Sequence, residues 1–239
     1  ETETFLAEIG GMRGVSLQPI AGAHGELAGV LLIAAYHRDK GNKKDTILIP
    51  DSAHGTNPAS AAIAGYKVEE VPSAEDGTLD IEAFKQRLND GVAAVMLTCP
   101  NTHGLFEPRV REVAEAAHKV DALLYYDGAN LNAILGQCRP GDLGFDVMHF
   151  NLHKTFATPH GMGGPGSGPV GVGDRLLPFL PGPRVVKREE VFSLEMPPKS
   201  IGRMSAFFGN FLIALRALAY ILHVGGEGMK DVSRHAVLN

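Results

Sequence analysis

The sequence has 239 residues, which is enough for one large α/β domain with a buried core. Its composition, 44% hydrophobic and 21% charged, is ordinary for a soluble globular protein. The net charge of −5 disfavours nucleic acid and an anionic membrane as partners, because both select basic protein faces.

The two cysteines, Cys99 and Cys138, are too few for a disulfide framework and form no CxxC pair. This usage is typical of a reducing compartment, and no basic-then-apolar leader opens the chain, so we expect a cytoplasmic protein. The longest apolar stretch, residues 207–224, is interrupted by Asn210 and Arg216. It therefore predicts a buried amphipathic helix and not a membrane span.

Apolar runs alternate with helical patterns along the chain. In the first half of the chain we predict a helix over residues 26–41, a strand over 46–50, a helix over 57–64 capped by Asn57, a helix after an Asp80 cap and a strand over 92–98. In the second half we predict a helix over 108–120, strands over 122–127 and 146–150, and an irregular strand-like segment over 185–196. A last helix is predicted over 205–224, ended by Gly225 and Gly226. Nearly continuous apolar strands indicate a sheet that is covered on both faces and is therefore parallel. We predict an α/β fold, an open three-layer α/β/α arrangement with a mostly parallel sheet.

Polar, titratable or small residues follow each of the four predicted strands. They are Asp51, Ser52 and His54 after the first, Cys99 and Asn101 after the second, Asp127 and Ala129 at the end of the third, and Asn151, His153 and Lys154 after the fourth. Ligands bind beyond the carboxyl ends of the strands in sheets of this kind. We therefore expect a ligand site at this edge of the sheet.

Small residues run into a predicted helix start in AGAHGELAGV, residues 21–30. Free backbone N–H groups at such a start can hold one phosphate. The spacing G-x-x-G-x-x-x-G matches neither the dinucleotide fingerprint nor the P-loop of nucleoside triphosphatases. A cofactor with a single phosphate fits best, and a tight turn into a packed helix is the alternative.

Lys154 and Asp127 suggest which cofactor this is. A lysine whose pKa is lowered by burial or by a nearby cation forms a Schiff base with an aldehyde. Pyridoxal phosphate carries an aldehyde, one phosphate and a pyridine nitrogen that needs an anionic partner such as Asp127. Taken singly, the two residues would be a solvated loop lysine and a turn carboxylate. With the phosphate loop, together they predict pyridoxal 5′-phosphate.

Five further residues are candidates for contacts with this cofactor. His54 could stack on its ring, although a hydrogen-bonded turn histidine is an equal alternative, and Ala129 is small enough to lie against the other face. Asn101 could bond the ring hydroxyl and Asn151 the phosphate, although asparagine is common in turns. His153 could transfer protons or orient the substrate.

Histidines at three nearby positions raise the alternative of a metal site. His149 and His153 are four residues apart, and His160 follows. They lie across a predicted strand end and a loop, without the glutamate of an HExxH helix, so we predict no metal.

Six blocks stand out along the chain: AGAHGELAG, DSAHGTNPASA, YYDGANLNAI, RPGD, NLHKTFATPHGMGGPGSGPVGV and KSIGRMSAFFGNF. Together they resemble the P-protein family of the glycine cleavage system, glycine dehydrogenase (decarboxylating), and particularly its subunit 2 where the protein is divided in two. The resemblance covers essentially the whole chain, and the block around Lys154 is long and specific.

The resemblance implies a fold-type-I pyridoxal-phosphate enzyme. It implies Lys154 as the Schiff-base lysine, Asp127 as the pyridinium partner, His54 as the stacking residue, and Gly22, Ala23 and His24 as the phosphate loop. The implied reaction is decarboxylation of glycine, with release of CO2 and transfer of the aminomethyl group to the lipoyl arm of the H-protein. The implied partners are glycine, lipoylated H-protein and the paralogous subunit 1 in a heterotetramer.

The sequence departs from that family in two ways. Met162 interrupts a glycine run that the family keeps unbroken, and the family's subunit 2 extends beyond both ends of this chain. We therefore expect residues 1–239 to be a single cofactor-binding large domain, a fragment without an N-terminal segment and a C-terminal small domain. Two alternatives stay open: another fold-type-I enzyme, such as an aminotransferase, an aldolase or a different decarboxylase, and a non-catalytic subunit, although Lys154 disfavours the latter.

Overall fold

Seven strands form the central sheet in a computed structural model that describes residues 1–239. The strands are β1 (Gly14–Ser16), β2 (Thr46–Pro50), β3 (Lys67–Val71), β4 (Val92–Thr98), β5 (Leu123–Gly128), β6 (Val147–Phe150) and β7 (Val170–Val172). Their spatial order is β1-β7-β6-β5-β4-β2-β3. The five strands from β6 to β3 are parallel, and only β7 runs against its two neighbours. The prediction of a mostly parallel sheet is confirmed.

Seven helices and a separate hairpin complete the structure. The helices are α1 (Thr2–Gly10), α2 (Gly22–Lys40), α3 (Thr56–Ile63), α4 (Ile81–Arg87), α5 (Val110–Lys119), α6 (Leu152–Thr155) and α7 (Phe211–Leu238). The hairpin pairs β8 (Arg184–Arg188) with β9 (Val191–Glu195). It covers the segment 185–196 that the sequence marks as strand-like and irregular.

The alternation of side chains along β5 creates the three layers. Leu123 and Tyr125 pack into a core cluster with α2, whereas Leu124 and Tyr126 pack into a second cluster with α5 and α7. Successive strand residues point to opposite faces, so a strand that is apolar throughout needs helices on both sides. This explains why β4 and β5 are buried at every position.

The sequence patterns miss β1, β3 and β7. The first and last of these have only three residues each, and β7 lies inside the glycine-rich segment. The remaining strand, β3, is an edge strand of sequence KVEEV with mostly exposed side chains. An edge strand with charged residues lacks the apolar run that reveals a central strand.

Several helix ends differ from the predicted ones. Helix α2 begins at Gly22, four residues before the predicted start. Asp80 caps α4 as predicted, since its side chain accepts hydrogen bonds from the backbone N–H groups of Glu82 and Ala83. The predicted Asn57 cap is wrong, because α3 begins at Thr56 and its N-cap is Gly55.

Helix α7 is long and apolar enough to cross a membrane by length and composition alone. Gly225 interrupts it with φ 68° and ψ 174°, where the sequence predicts a helix end. Each of the two parts is therefore only about 20 Å long at about 1.5 Å per residue, short of a bilayer core of about 30 Å. Ile213, Ala217 and Ile221 pack into the core, whereas Phe211 is 73% exposed, so this helix is buried along one face only.

Gly29 lies where α2 packs closely on the sheet. A Cβ at this position would overlap the Tyr125 ring and lie 3.3 Å from Cγ2 of Val147. Gly29→Ala is expected to lower the free energy of unfolding by about 1–3 kcal/mol, measured by urea denaturation. Gly226→Ala is the matched control, because a Cβ there meets no atom within 4 Å. The control should be neutral or stabilising by up to about 1 kcal/mol, and equal effects of both variants would contradict the packing argument.

Candidate active site

A cavity of about 620 Å³ opens at the carboxyl ends of β5 and β6. Its lining brings together most of the residues that the sequence singles out: Gly22, Ala23, His54, Asp127, Ala129, Asn151, His153 and Lys154. The glycine-rich segment closes another wall through Gly163, Gly164 and Gly166. The topology explains the assembly, because parallel strands end at the same edge of the sheet.

The amino end of α2 forms one end of the cavity. Ala21 precedes the helix in an extended conformation, and no side chain caps the free N–H groups of the first turn. The site accepts no side chain at Gly22, where a Cβ would lie 2.5 Å from Oδ1 of Asn151. Free N–H groups at the positive end of a 19-residue helix, beside an asparagine amide, fit a phosphate group.

Asp127 lies at the end of β5 and is 1% exposed. Its Oδ2 accepts a hydrogen bond of 2.8 Å from Nδ2 of Asn57, and its Oδ1 accepts one of 2.8 Å from the backbone N–H of Ala129. Buried carboxylates need such partners, because an isolated charge in the interior is costly. The carboxylate is therefore held in one orientation on the cavity wall, as an anionic partner for a ring nitrogen would be.

His149 supports Asp127 from β6. Its Nε2 lies 3.4 Å from Oδ1 of Asp127, in the register that pairs the two residues across the strands. Its Nδ1 is 2.7 Å from the hydroxyl of Tyr125, whose pKa is raised by burial and by the nearby carboxylates of Asp127 and Glu26. Its Nε2 is also 2.8 Å from the amide nitrogen of Asn151. Both ring nitrogens of His149 thus have protein partners, and the ring packs beside Asp127 at the cavity wall.

Lys154 lies in the short helix α6, which directly follows β6. Its side chain is exposed and lines the same cavity as Asp127. Because β5 and β6 are adjacent parallel strands, an ammonium and a carboxylate from their ends can hold opposite sides of one small ring. The residues present therefore fit pyridoxal phosphate: a lysine for its aldehyde, an aspartate for its ring nitrogen and a helix end for its phosphate.

Two further histidines, His54 and His153, line the cavity. His54 precedes α3, is exposed, and lies 2.7 Å through Nδ1 from the hydroxyl of Thr56. His153 accepts a hydrogen bond of 3.4 Å from the backbone N–H of Ser167 and packs edge-on against His160. Burial lowers the pKa of His153, and the neighbouring His160 lowers it further. A neutral imidazole beside Lys154 is equipped to accept a proton.

The structure does not bring Asn101 and His24 into the cavity lining. The Asn101 amide donates to the backbone oxygen of Gly77, and its Oδ1 accepts from the backbone N–H groups of His103 and Leu105. This side chain thus organises its own loop. His24 turns back on the chain, and its Nδ1 accepts a hydrogen bond from the backbone N–H of Ile20.

Sequence reasoning missed Asn57, Glu26 and Asn210. The sequence predicts Asn57 as a helix cap, yet it is 1% exposed and donates to Asp127. Glu26 is the one charged residue among the small and apolar residues that begin α2, and that isolation was a usable signal. Asn210 lines the cavity and bonds the backbone oxygen of Gly166; it stands in the block KSIGRMSAFFGNF, but the residue pattern there assigns it no contact.

This fold and this set of residues define the class, a fold-type-I pyridoxal-phosphate protein. The model of the aminotransferase class-V family matches residues 24–165, which include Asp127 and Lys154. The chain belongs to that family.

Curated relatives resemble the chain over its whole length. It is 58% identical over 240 residues to a Chlorobium chlorochromatii (strain CaD3) protein and 58% identical over 241 residues to an Aquifex aeolicus (strain VF5) protein. Both are named "probable glycine dehydrogenase (decarboxylating) subunit 2". The matches cover 100% of this chain and 50% of each relative, so the chain spans about half the length of the curated relatives it matches.

Solved structures share the fold. Glycine decarboxylase (P-protein) of the glycine cleavage system, in an inhibitor-bound form, aligns with a TM-score of 0.78 and 25% identity over 96% of this chain and 53% of that chain. The sphingosine-1-phosphate lyase of Burkholderia pseudomallei aligns with a TM-score of 0.64 and 17% identity over 90% of this chain and 49% of that chain. At 17% identity, the similarity to the lyase shows a shared fold and nothing about function.

Proposed function

We propose that this chain carries the cofactor site of a glycine dehydrogenase (decarboxylating), which releases the carboxyl group of glycine as CO2 and passes the aminomethyl group to the lipoyl arm of an H-protein. One observation carries the proposal: Lys154 and Asp127 line one cavity in a chain that is 58% identical to proteins of that name. The 25% identity with a solved glycine decarboxylase supports the same reaction.

Different residues of the chain would have different roles in such a reaction. The first turn of α2 and Asn151 would hold the phosphate, and Asp127 would keep the ring nitrogen protonated. When bound, pyridoxal phosphate supplies an electron sink for the pair of electrons left behind as CO2 departs. Lys154 would hold the aldehyde carbon through its amine, and Lys154 or His153 would be placed to carry protons.

The charged groups of the cavity lining bear on how a substrate carboxylate would be held. No arginine lines it, and Lys154 is its one ammonium group. A substrate carboxylate that is to be lost needs no strong anchor at this point, because a tight ion pair would stabilise the ground state more than the transition state. We propose glycine as the substrate because the relatives that this chain matches are named for it.

We further propose that a partner subunit, paralogous to this one, covers part of the surface in a heterotetramer. Both relatives are named subunit 2, and that name implies a subunit 1. Large apolar side chains are exposed on the hairpin and around the start of α7, among them Phe192 at 67%, Phe207 at 79% and Phe211 at 73%. Exposed aromatic groups in such numbers favour a protein neighbour.

An exchange assay tests the proposed reaction. The full-length protein, combined with its partner subunit and pyridoxal phosphate, should exchange labelled bicarbonate into the carboxyl group of glycine, and lipoylated H-protein should stimulate the exchange. Transamination with a keto acid and no exchange would instead identify another fold-type-I enzyme. No visible absorbance band with added cofactor would identify a non-catalytic subunit and overturn the proposal.

A further inference from the structure

Glu26 is a buried acid in the cavity wall that the proposed reaction leaves without a role. It lies in the first turns of α2 and is 4% exposed, yet no cationic side chain pairs with it. Its Oε1 lies 2.7 Å from Oγ1 of Thr56, and its Oε2 is buried with no hydrogen-bond partner. A buried carboxyl group with an unpartnered oxygen is costly if it is ionised.

Thr56 connects Glu26 to His54. The threonine Oγ1 lies 2.7 Å from Nδ1 of His54, and the backbone N–H of Thr56 donates to the same Nδ1 at 3.2 Å. A nitrogen that accepts from a backbone N–H carries no proton of its own, so the threonine hydroxyl also donates to it. Having one hydrogen, that hydroxyl must accept from Glu26, and a carboxyl group donates only when it is protonated.

We propose that Glu26 is a positioning residue, held as the neutral acid, that acts through Thr56 to fix His54 in the tautomer protonated on Nε2. The chain of donors runs from the Glu26 carboxyl to the Thr56 hydroxyl and on to Nδ1 of His54. The effect is to fix which ring nitrogen of His54 presents an N–H to the cavity. The inference rests on the proposed function only for the cofactor, on whose ring His54 would stack.

The surroundings of Glu26 favour its neutral form. Burial raises its pKa, His149 on β6 opposes this, the Asp127 carboxylate on β5 raises it further, and Lys154 on α6 lowers it. Carboxyl or imidazole atoms of Glu26, Asp127 and His149 lie within 4.8 Å of one another, so a second carboxylate beside Asp127 would be repelled. The net direction agrees with the donor chain that the geometry requires.

Nitrogen NMR of the histidine side chains tests the inference on the full-length protein without cofactor. In the wild type at neutral pH, we expect Nδ1 of His54 to be unprotonated and Nε2 to carry the proton. The resonances are assigned by their loss in His54→Gln. A wild-type ring protonated on Nδ1 would overturn the proposal without any variant being needed.

Two pairs of variants separate the relay from mere packing. Thr56→Val should raise the share of rings protonated on Nδ1 by about fivefold, the factor that one hydrogen bond supplies, whereas Thr56→Ser should retain the wild-type state. Glu26→Gln, whose amide can still donate to Thr56, should also retain it, and Glu26→Ala should not. Thr46→Val, at the opposite end of β2, is the control with no effect expected. Identical spectra for Thr56→Val and the wild type would refute the relay, while a failure of the proposed reaction would appear only in the glycine exchange assay.

Discussion

Lys154→Ala is expected to abolish the visible absorbance band of a lysine-bound cofactor and to lower the rate of glycine-dependent exchange by at least about 10³-fold. Lys154 is the one lysine in the cavity lining, and no other amine there could hold the aldehyde carbon. Absorbance spectra after addition of pyridoxal phosphate to the full-length protein measure the first effect. Mass spectrometry after borohydride reduction locates the attachment site independently.

A second lysine serves as the control for this experiment. Lys119 ends α5, is exposed and does not line the cavity, so Lys119→Ala should keep both the band and the rate. Attachment of the cofactor to another residue in the wild type, or a full band in Lys154→Ala, would remove the basis of the functional assignment.

Asp127→Asn is expected to lower the exchange rate by about 10²–10³-fold and to weaken retention of the cofactor. The substitution keeps the shape of the side chain but removes the charge that would hold the ring nitrogen protonated. The rate and the cofactor content after dialysis measure the two effects in the full-length protein. A variant as active as the wild type would show that the carboxylate is structural only.

The neighbouring Asn57 offers the matched comparison. Asn57→Ala removes the 2.8 Å hydrogen bond to Oδ2 of Asp127 but leaves the carboxylate and its bond from the Ala129 N–H in place. Its rate should therefore fall by only about tenfold, the factor expected when one bond to a charged group is lost. Asp142→Asn, in a surface ion pair with Arg139, should leave the rate unchanged.

The sequence was sufficient for the central part of the fold because its strands are buried on both faces. The apolar runs at 46–50, 92–98, 122–127 and 146–150 coincide with β2, β4, β5 and β6 to within one residue at each end. Their order along the chain, separated by helices, requires crossover connections and therefore a parallel sheet. The short strands β1 and β7 and the charged edge strand β3 left no such pattern.

Some residues of the candidate site could likewise be predicted from the sequence, and others could not. Lys154, Asp127, Ala129 and Asn151 could be found from sequence because they come directly after buried strands, and the sheet topology alone brings such positions together. Asn101 satisfies the same rule, but its Oδ1 is drawn into its own turn by hydrogen bonds from the backbone N–H groups of His103 and Leu105. Local bonding of this kind cannot be distinguished from ligand binding by residue type.

The sequence by itself determined the class of sheet and the edge at which most of the candidate cofactor residues meet. Only the tertiary structure decided how those residues are supported. Asn57 bonds Asp127 across 70 positions of the chain, and Glu26 meets Thr56 across 30. Such contacts depend on how α2 and α3 pack at the end of the sheet, and no local periodicity or spacing encodes the partner that a buried polar side chain finds there.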